Sequence, residues 1–418
     1  MRIPYRSLTF WIFVGLFAGL AGGVVFGEDI VPLGDTLGTL FLRLLRMAIM
    51  PLIVTSITSA VIRVGSRENL GILGAQTFGY YVASSLAAIL TGQILVNLLK
   101  PGVGSTLQLE RSPDVIPAIE KGFGQILMDI IPENPFAALA EGHVLPVIFF
   151  SIALGYFISR IREPHRTQIG DLFAGLFDAM LRMTQVIIWT APIGVFGINA
   201  KIVATFGFSA FKSLGFYFVV VLIGLAIHAF FTLPLAIRLV TGRSPIRHYR
   251  GMPPPLVTAF STCSSIVTLP LNMKAVTENS GVSKKIASFV LPIGATVNMD
   301  GTALYECVAV VFIAQVYGFD LSFAAQLLIV LTALLASIGA AAVPMAGLVM
   351  MTIILSAVGL PLEAVGLVIA VDRFLDMFRT ATNVLSDSVG TVVIAKLQGE
   401  DVLRDGPPTA TPTPPRYA

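Results

Sequence analysis

The sequence predicts an all-α protein that crosses the membrane many times, and three observations carry that prediction. Of the 418 residues, 55% are hydrophobic and 12% are charged, half the roughly 25% charge of a soluble domain. Mean hydropathy is +0.85 over the whole chain, so no single anchor explains the apolarity and most of the chain must sit in lipid. The apolar residues also come in bilayer-length runs separated by charge, Pro or Gly. The same composition excludes several function classes. Cys263 and Cys307 lie in apolar or small-residue stretches and the four histidines are scattered, which argues against a disulfide framework and against a Cys/His metal site. A net charge of +3 is too small to imply a nucleic-acid partner, and the 27 basic residues read instead as topology markers.

The first apolar run, Leu8 to Phe26, is long enough to span and is closed by Glu28 and Asp29. No small-residue cleavage motif follows it, so a removed signal peptide is not expected. Further spans are predicted at 39–62, 77–99, 137–159, 184–204 and 214–240. Basic residues fall on alternate loops: Arg2 and Arg6, Arg63 and Arg67, Arg160 to Arg166, and Arg238 to Arg250. By the positive-inside rule both termini lie in the cytoplasm of a multi-pass inner (plasma) membrane protein. Lys100 to Gly122, with Pro101, Gly102, Pro113 and Pro117, reads as an external loop, and the Pro/Thr-rich tail from Asp405 reads as disordered.

From Gly251 the apolar segments are interrupted by small and hydroxyl residues. Ser261-Thr262-Cys263-Ser264-Ser265 leads to Pro270, and Ser337-Ile338-Gly339-Ala340-Ala341-Ala342 leads to Val343-Pro344. Pro and Gly midway in an apolar stretch end a helix before it can cross, which allows a re-entrant hairpin with its tip at membrane depth. Each is followed by a helix bearing polar residues: Asn298, Asp300 and Thr302 in the first, Asn383 and Asp387 in the second. A hairpin plus a broken or polar helix, occurring twice, points to an inverted-repeat transporter. Two ordinary Pro-kinked helices are the alternative.

Between Val371 and Thr391 stand Asp372, Arg373, Asp376, Arg379 and Asp387, each costing about 2.5–3.5 kcal/mol at the centre of a lipid-exposed helix. Asp372, Asp376, Arg379, Asn383 and Asp387 fall within a stripe of about 80 degrees at 100 degrees per residue, so one helix face is a polar lining. An internal salt-bridge ladder is the bland reading, yet Asn383 and Asp387 have no cationic partner in it, and a bound cation would supply one.

Asn298-Met299-Asp300-Gly301-Thr302-Ala303-Leu304-Tyr305, the two hairpin tips and Asp376-Met377-Phe378-Arg379-Thr380-Ala381-Thr382-Asn383-Val384 resemble the dicarboxylate/amino acid:cation symporter family, which includes the excitatory amino acid transporters. The resemblance spans 8–397. It implies a transporter, not an enzyme, with eight transmembrane helices and two re-entrant hairpins, assembled as a homotrimer whose protomers work as elevators. It also implies scaffold helices at 1–76 and 123–210, helix 3 and an external loop at 77–122, helix 6 at 211–248, a transport core at 249–397 and a cytoplasmic tail at 398–418.

The same resemblance assigns roles residue by residue. Arg379 would hold the side-chain carboxylate of L-aspartate or L-glutamate, because a guanidinium fork matches two carboxylate oxygens. Asp376 would accept the α-ammonium. Asn383 and tip amides near Ser264, Ser265 and Val343 would take the α-carboxylate, with Thr302 and Thr380 adding hydroxyls. For Ser264 and Ser265, plain small-residue packing is the alternative. Three sodium ions are implied. One uses Asp387, Asn298, Asn383 and the Gly294 carbonyl, and a second uses Asp300, Asn298, Tyr81, Ser84 and Ser85. The third uses carbonyls around Thr296, Met299, Ser337, Ile338 and Ala340. Tyr81 on its own reads as an interface or packing residue.

Glu306 lies four residues after Thr302 and so on the same helix face. Burial disfavours a bare charge at that depth, which makes it a candidate proton carrier, the alternative being a protonated hydrogen-bond donor. The resemblance agrees, since the mammalian relatives carry a proton-linked glutamate there, and potassium countertransport accompanies it in them. The sequence departs from the family at Cys263 and Met377, where an arginine is usual at one position or the other, and at Ala342 and Met345, where many relatives have glycine. Arg373 reaches toward the same space or pairs with Asp372. A C4-dicarboxylate is the runner-up substrate, opposed by Asp376, which would repel a dianion lacking an ammonium. An ion channel or membrane sensor is the reading from another class.

Overall fold

The structure, a computed structural model, describes residues 8–65, 71–105, 128, 131–207, 210–339, 346–361 and 364–404, and every regular element among them is helical. Helix α1 (Leu8–Phe26) ends at Gly27, with φ +54, and a single 3-10 turn leads into α2 (Val31–Gly65). The helix therefore starts earlier than the predicted 39–62 span. Glu28 and Asp29 sit just before its N-terminus, where negative charge is favoured. Helix α3 (Gly71–Leu99) contains the predicted 77–99.

Two predicted spans are divided. The run 137–159 becomes α4 (Pro135–Glu141) and α5 (Val144–Arg160), because Gly142 adopts φ +78 and closes the first, whose N-terminus is capped by Asn134. The run 184–204 straddles α6 (His165–Ile188) and α7 (Ala191–Phe206), which bend by 48° at Trp189–Thr190. Pro192 sits in the first turn of α7, where a missing N–H costs nothing. Most of α6 escaped the search for apolar runs because Arg166, Asp171, Asp178 and Arg182 interleave with its hydrophobic residues.

Helices α8 (Ala210–Ile227) and α9 (Leu233–Thr241) form one rod interrupted by a π turn at His228–Thr232. Pro234 cannot donate to Phe230 and its ring crowds that carbonyl, and a wider turn relieves the clash. After the short α10 (Ile246–Gly251), α11 (Pro253–Thr262) and α12 (Ser265–Glu278) form the first helical hairpin. Its tip turns through Cys263 in the left-handed region, with φ +51, and Ser264 caps α12 through the Val267 amide. Helices α13 (Lys284–Val297) and α14 (Asp300–Val316) are broken at Asn298–Met299. The second hairpin pairs α15 (Phe323–Gly339) with α16 (Ala346–Val358), which pack together, and α17 (Val365–Leu397) closes the fold. The second tip, with Ala340, Ala342, Val343 and Met345, lies outside the described residues.

Among the described residues, four helical stretches are long and apolar enough to cross a bilayer: Phe10–Leu44, Ile72–Leu99, Ser213–Thr241 and Lys284–Val316. The α6–α7 pair makes a fifth if it counts as one span. Helices α1, α2, α5, α6 and α7 pack mainly among themselves, while α3, α8, α15, α16 and α17 gather around α14 and the first hairpin and α13 pack on α17. Every residue of α14 but Gln315 is buried. The predicted tail begins with folded structure. Arg243 pairs with Asp401 at 2.6 Å and donates to the Val402 carbonyl, Glu400 accepts from the Ser283 amide, and the Leu403 amide donates to Ser280. Residues 398–404 are therefore part of the fold, and those from Asp405 lie outside the described residues.

A stripe of small residues joins α1 to α7. Gly15, Gly19 and Gly23 face the carbonyls of Pro192, Phe196 and Ala200, and a Cβ on Gly19 would stand 2.5 Å from the Phe196 oxygen. Such spacing lets helix backbones approach where lipid supplies no hydrophobic drive. Gly19→Val should force these helices apart, costing about 1–3 kcal/mol, and a lowered melting temperature of the purified protein is the measurement.

Candidate functional site

The site is built where the α13–α14 break meets α17. Asp300 opens α14, and its carboxylate is the most heavily bonded group in the interior. Ser84 and Ser85 of α3 donate to its two oxygens at 2.5 and 2.6 Å, and Ser386 of α17 donates at 2.5 Å. His228 Nε2 lies 3.0 Å from Oδ2. The π turn thus delivers an imidazole to a carboxylate at membrane depth. Sequence reasoning missed His228 and Ser386. Both carried a signal, since a lone histidine inside an apolar span is an intramembrane ionisable group and Ser386 adjoins Asp387.

Asn298 sits at the break. Its amide nitrogen donates to Asp387 Oδ1 at 2.9 Å and to Ser386 Oγ at 3.0 Å, while its Oδ1 is buried without a partner among the described residues. Gly294 lies against Asp387 and Tyr81, where a Cβ would stand 2.6 Å from Asp387 Oδ1 and 2.5 Å from the tyrosine oxygen. Tyr81 donates to the Val290 carbonyl at 2.9 Å. It therefore stands with Asp387 and Gly294 rather than in the Asp300 set where it was expected. Asn383 also departs from expectation. Its Oδ1 accepts from the Gly301 amide at 2.7 Å and its Nδ2 donates to Thr302 at 3.1 Å, so it caps the exposed amides of α14 instead of meeting Asp387.

The third expected cation set is spread over α13 and α15, which pack together. The hydroxyls of Thr296 and Ser337 bond carbonyls of their own helices, Met299 is buried at the break, and Ala340 lies outside the described residues, as does the side chain of Ile338. Carboxylate, amide, hydroxyl and carbonyl oxygens are the hard donors that an alkali cation takes, by the same logic as other hard cations.

Further along α17 lies a buried four-charge cluster. Arg379 is fully buried, with Nη2 3.0 Å from Asp376 Oδ1, Nη1 3.1 Å from Asp372 Oδ1 and the guanidinium 3.8 Å over the Tyr305 ring. Its Nε and Nη1 make no hydrogen bond among the described residues. The first turn of α16 closes over it, and a Cβ on Gly347 would lie 2.6 Å from Nη1. Arg373 Nη1 meets Asp376 Oδ2 at 3.1 Å, with Asp372 also within electrostatic reach.

Thr302, Thr380 and Ser265 are buried nearby, and Phe260 of the first hairpin meets Phe378 edge-on at 5.0 Å, which places the Cys263–Ser264 tip beside the cluster. Val343 lies outside the described residues. Both oxygens of Glu306 are buried without a hydrogen-bond partner among the described residues, and Arg379 and Asp372 are the charges within reach.

Buried acids, amides and arginines walled in by apolar helices make this the interior of a membrane transporter. The chain belongs to the sodium:dicarboxylate symporter family, whose profile matches residues 8–397. It is 37% identical over 416 residues to excitatory amino acid transporter 3 of Mus musculus, covering 87% of this chain and 79% of that one. It is 36% identical over 403 residues to an excitatory amino acid transporter of Caenorhabditis elegans, with coverage of 85% and 80%. The proton/sodium-glutamate symport protein of Geobacillus stearothermophilus is 32% identical over 403 residues, with coverage of 94% and 95%. Membership makes the chain a cation-coupled symporter of the membrane and not an enzyme.

His228→Leu removes one of four partners from the buried Asp300 carboxylate and should cost about 1–3 kcal/mol, read as a lower melting temperature. His228→Gln, which can still donate, should keep most of the stability. A leucine variant that melts with the wild type would show the imidazole to be dispensable.

Proposed function

We propose that this protein imports an acidic amino acid, L-aspartate or L-glutamate, driven by sodium and coupled also to a proton through Glu306. The observation that carries the reading is Arg379, a buried guanidinium whose Nε has no acceptor among the described residues and whose Nη1 has only the ion-pair contact with Asp372. Buried donors are normally satisfied, and a substrate carboxylate would complete this one with the charge-assisted geometry that arginine favours. In the same reading Asp376 takes the α-ammonium. Asn383 and the hairpin tips near Ser264, Ser265 and Val343 take the α-carboxylate, and Thr302 and Thr380 contribute hydroxyls. The relatives, a proton/sodium-glutamate symport protein and excitatory amino acid transporters, point the same way.

Sodium enters as co-substrate. Asp387, Asn298 and the Gly294 carbonyl, joined by Tyr81, would hold one ion, and Asp300 with Ser84 and Ser85 another. The carbonyls of the broken segments around Thr296, Met299 and Ser337 would hold a third. An ion beside Asp387 would use the Asn298 oxygen that has no hydrogen-bond partner among the described residues. Because α13, α14 and α17 share these groups, ion binding would fix the same helices that present Asn383 and Arg379. The expected architecture follows: eight spans, re-entrant hairpins at α11–α12 and α15–α16, and a homotrimer with cytoplasmic termini. A core of α3, α8, α9 and α11–α17 would move past the scaffold of α1, α2 and α4–α7.

Uptake by purified protein in liposomes, with sodium, proton and potassium gradients imposed one at a time, tests the proposal. Arg379→Cys should lower aspartate uptake roughly 100-fold or more, since loss of a buried charge leaves its partners uncompensated. Unchanged aspartate affinity would sink the assignment. Wild-type uptake should quicken as the external side is acidified, and Glu306→Gln should flatten that profile while sodium-dependent aspartate binding stays near wild type. Identical pH profiles would leave Glu306 a structural residue.

A further inference from the structure

Ser386 stands between the two acids to which cations are assigned, and its hydroxyl is bonded into both sets. Its Oγ donates to Asp300 Oδ2 at 2.5 Å and accepts from Asn298 Nδ2 at 3.0 Å, and the same amide nitrogen donates to Asp387 Oδ1 at 2.9 Å. All four residues are buried. Asn298 Oδ1, on the other side of the amide, has no hydrogen-bond partner among the described residues. We infer that Ser386 is a positioning residue for sodium binding, which turns the Asn298 amide so that its oxygen, and not its nitrogen, is presented to the ion beside Asp387.

Each hydrogen bond in this chain takes its direction from the one before it. An ionised carboxylate only accepts, whereas a hydroxyl has one proton to give and lone pairs with which to accept. Asp300 takes the Ser386 proton, so toward Asn298 the serine oxygen acts as an acceptor. The Asn298 nitrogen satisfies both Ser386 and Asp387 with its two N–H groups. A flipped amide would set its oxygen against two oxygens and leave buried acceptors facing each other, which is costly. The orientation of Asn298 is thus passed to it from Asp300 through Ser386.

Asp387 alone cannot hold that orientation once an ion arrives, because a cation on its carboxylate competes with the Asn298 N–H for the same oxygen. Ser386 lies outside that competition and keeps the nitrogen anchored while Oδ1 meets the ion. The partners of Asp300 are also unevenly placed: Ser84, Ser386 and His228 stand on Oδ2, and Ser85 on Oδ1. A second ion entering on the Oδ1 side therefore leaves the Ser386 bond standing. Groups that orient a metal ligand without touching the metal typically account for about 10–100-fold in affinity.

The inference rests on the sodium reading of Asp387 and Asn298 above, and sodium alone is the probe. The melting temperature of purified full-length protein is followed as sodium chloride replaces choline chloride, without substrate, and the wild type should show a saturable rise. Ser386→Ala should raise the sodium concentration at the midpoint of that rise at least about tenfold. Ser388→Ala deletes a buried hydroxyl of the same helix that bonds His248 and the Leu385 carbonyl. It should lower the melting temperature and leave the sodium midpoint near wild type. In an Asp387→Asn background, Ser386→Ala should change the remaining sodium response by less than about twofold, since the two act on one site. A wild-type midpoint in Ser386→Ala overturns the inference, as does an equal shift in Ser388→Ala or a full further shift in the Asp387→Asn background. No sodium-dependent rise in the wild type, or a wild-type midpoint in Asp387→Asn, overturns the sodium site itself.

Discussion

A carboxylate at the first residue of a helix that is buried along almost its whole length has to find its partners inside the protein, because neither lipid nor bulk water reaches it. Asp300 draws them from three separate elements: two hydroxyls from α3, an imidazole from the π turn between α8 and α9, and a hydroxyl from α17. That requirement fixes how α3, α8 and α17 lie around α14. It also explains why the rod of α8 and α9 carries a wider turn where Pro234 would otherwise clash, since the turn is what presents His228. Asn298, Asn383 and Ser386 then knit α13, α14 and α17 together through bonds that all converge on the break at Asn298–Met299.

The two ends of the α17 stripe solve the burial problem differently. Around Asp387 and Asp300 the acids are bonded by hydroxyl, amide and imidazole groups, an environment rich in oxygen atoms. Around Asp376 they are satisfied by guanidiniums, which leave donors for an anion. About three helical turns separate Asp376 from Asp387 at 3.6 residues per turn, so surroundings of opposite character share one rod. A shared rod is a direct physical means of coupling two bound species, because a displacement of α17 alters both sets of contacts at once.

Much of this was legible in the sequence, and the parts that were not have identifiable causes. The stripe of Asp372, Asp376, Arg379, Asn383 and Asp387 could be read because helical period alone aligns it. The first hairpin tip and the break before Asp300 could be read because Pro, Gly and hydroxyl residues interrupt otherwise apolar stretches. Partnerships between distant helices were another matter: a period says which face a residue occupies but not what faces it. Hence Tyr81 was placed with Asp300 although it stands by Asp387, and His228 was passed over as one of four scattered histidines. The divisions at Gly142 and at Trp189–Thr190 were hidden for a simpler reason. Hydropathy continues across them while the backbone changes direction.

The position of α17 after the residues that it surrounds bears on how the protein is made. Asp300, His228 and Glu306 all enter the membrane before the residues of α17 that surround them have been synthesised. During that interval the growing bundle holds acids and an imidazole without Ser386, Asn383 or Arg379, and α17 arrives as a strongly charged segment with poor claim to lipid on its own. Polar groups already in the interior are what such a segment can pair with as it inserts, and until it arrives Asp300 lacks the Ser386 hydroxyl and Gly301 lacks the Asn383 oxygen.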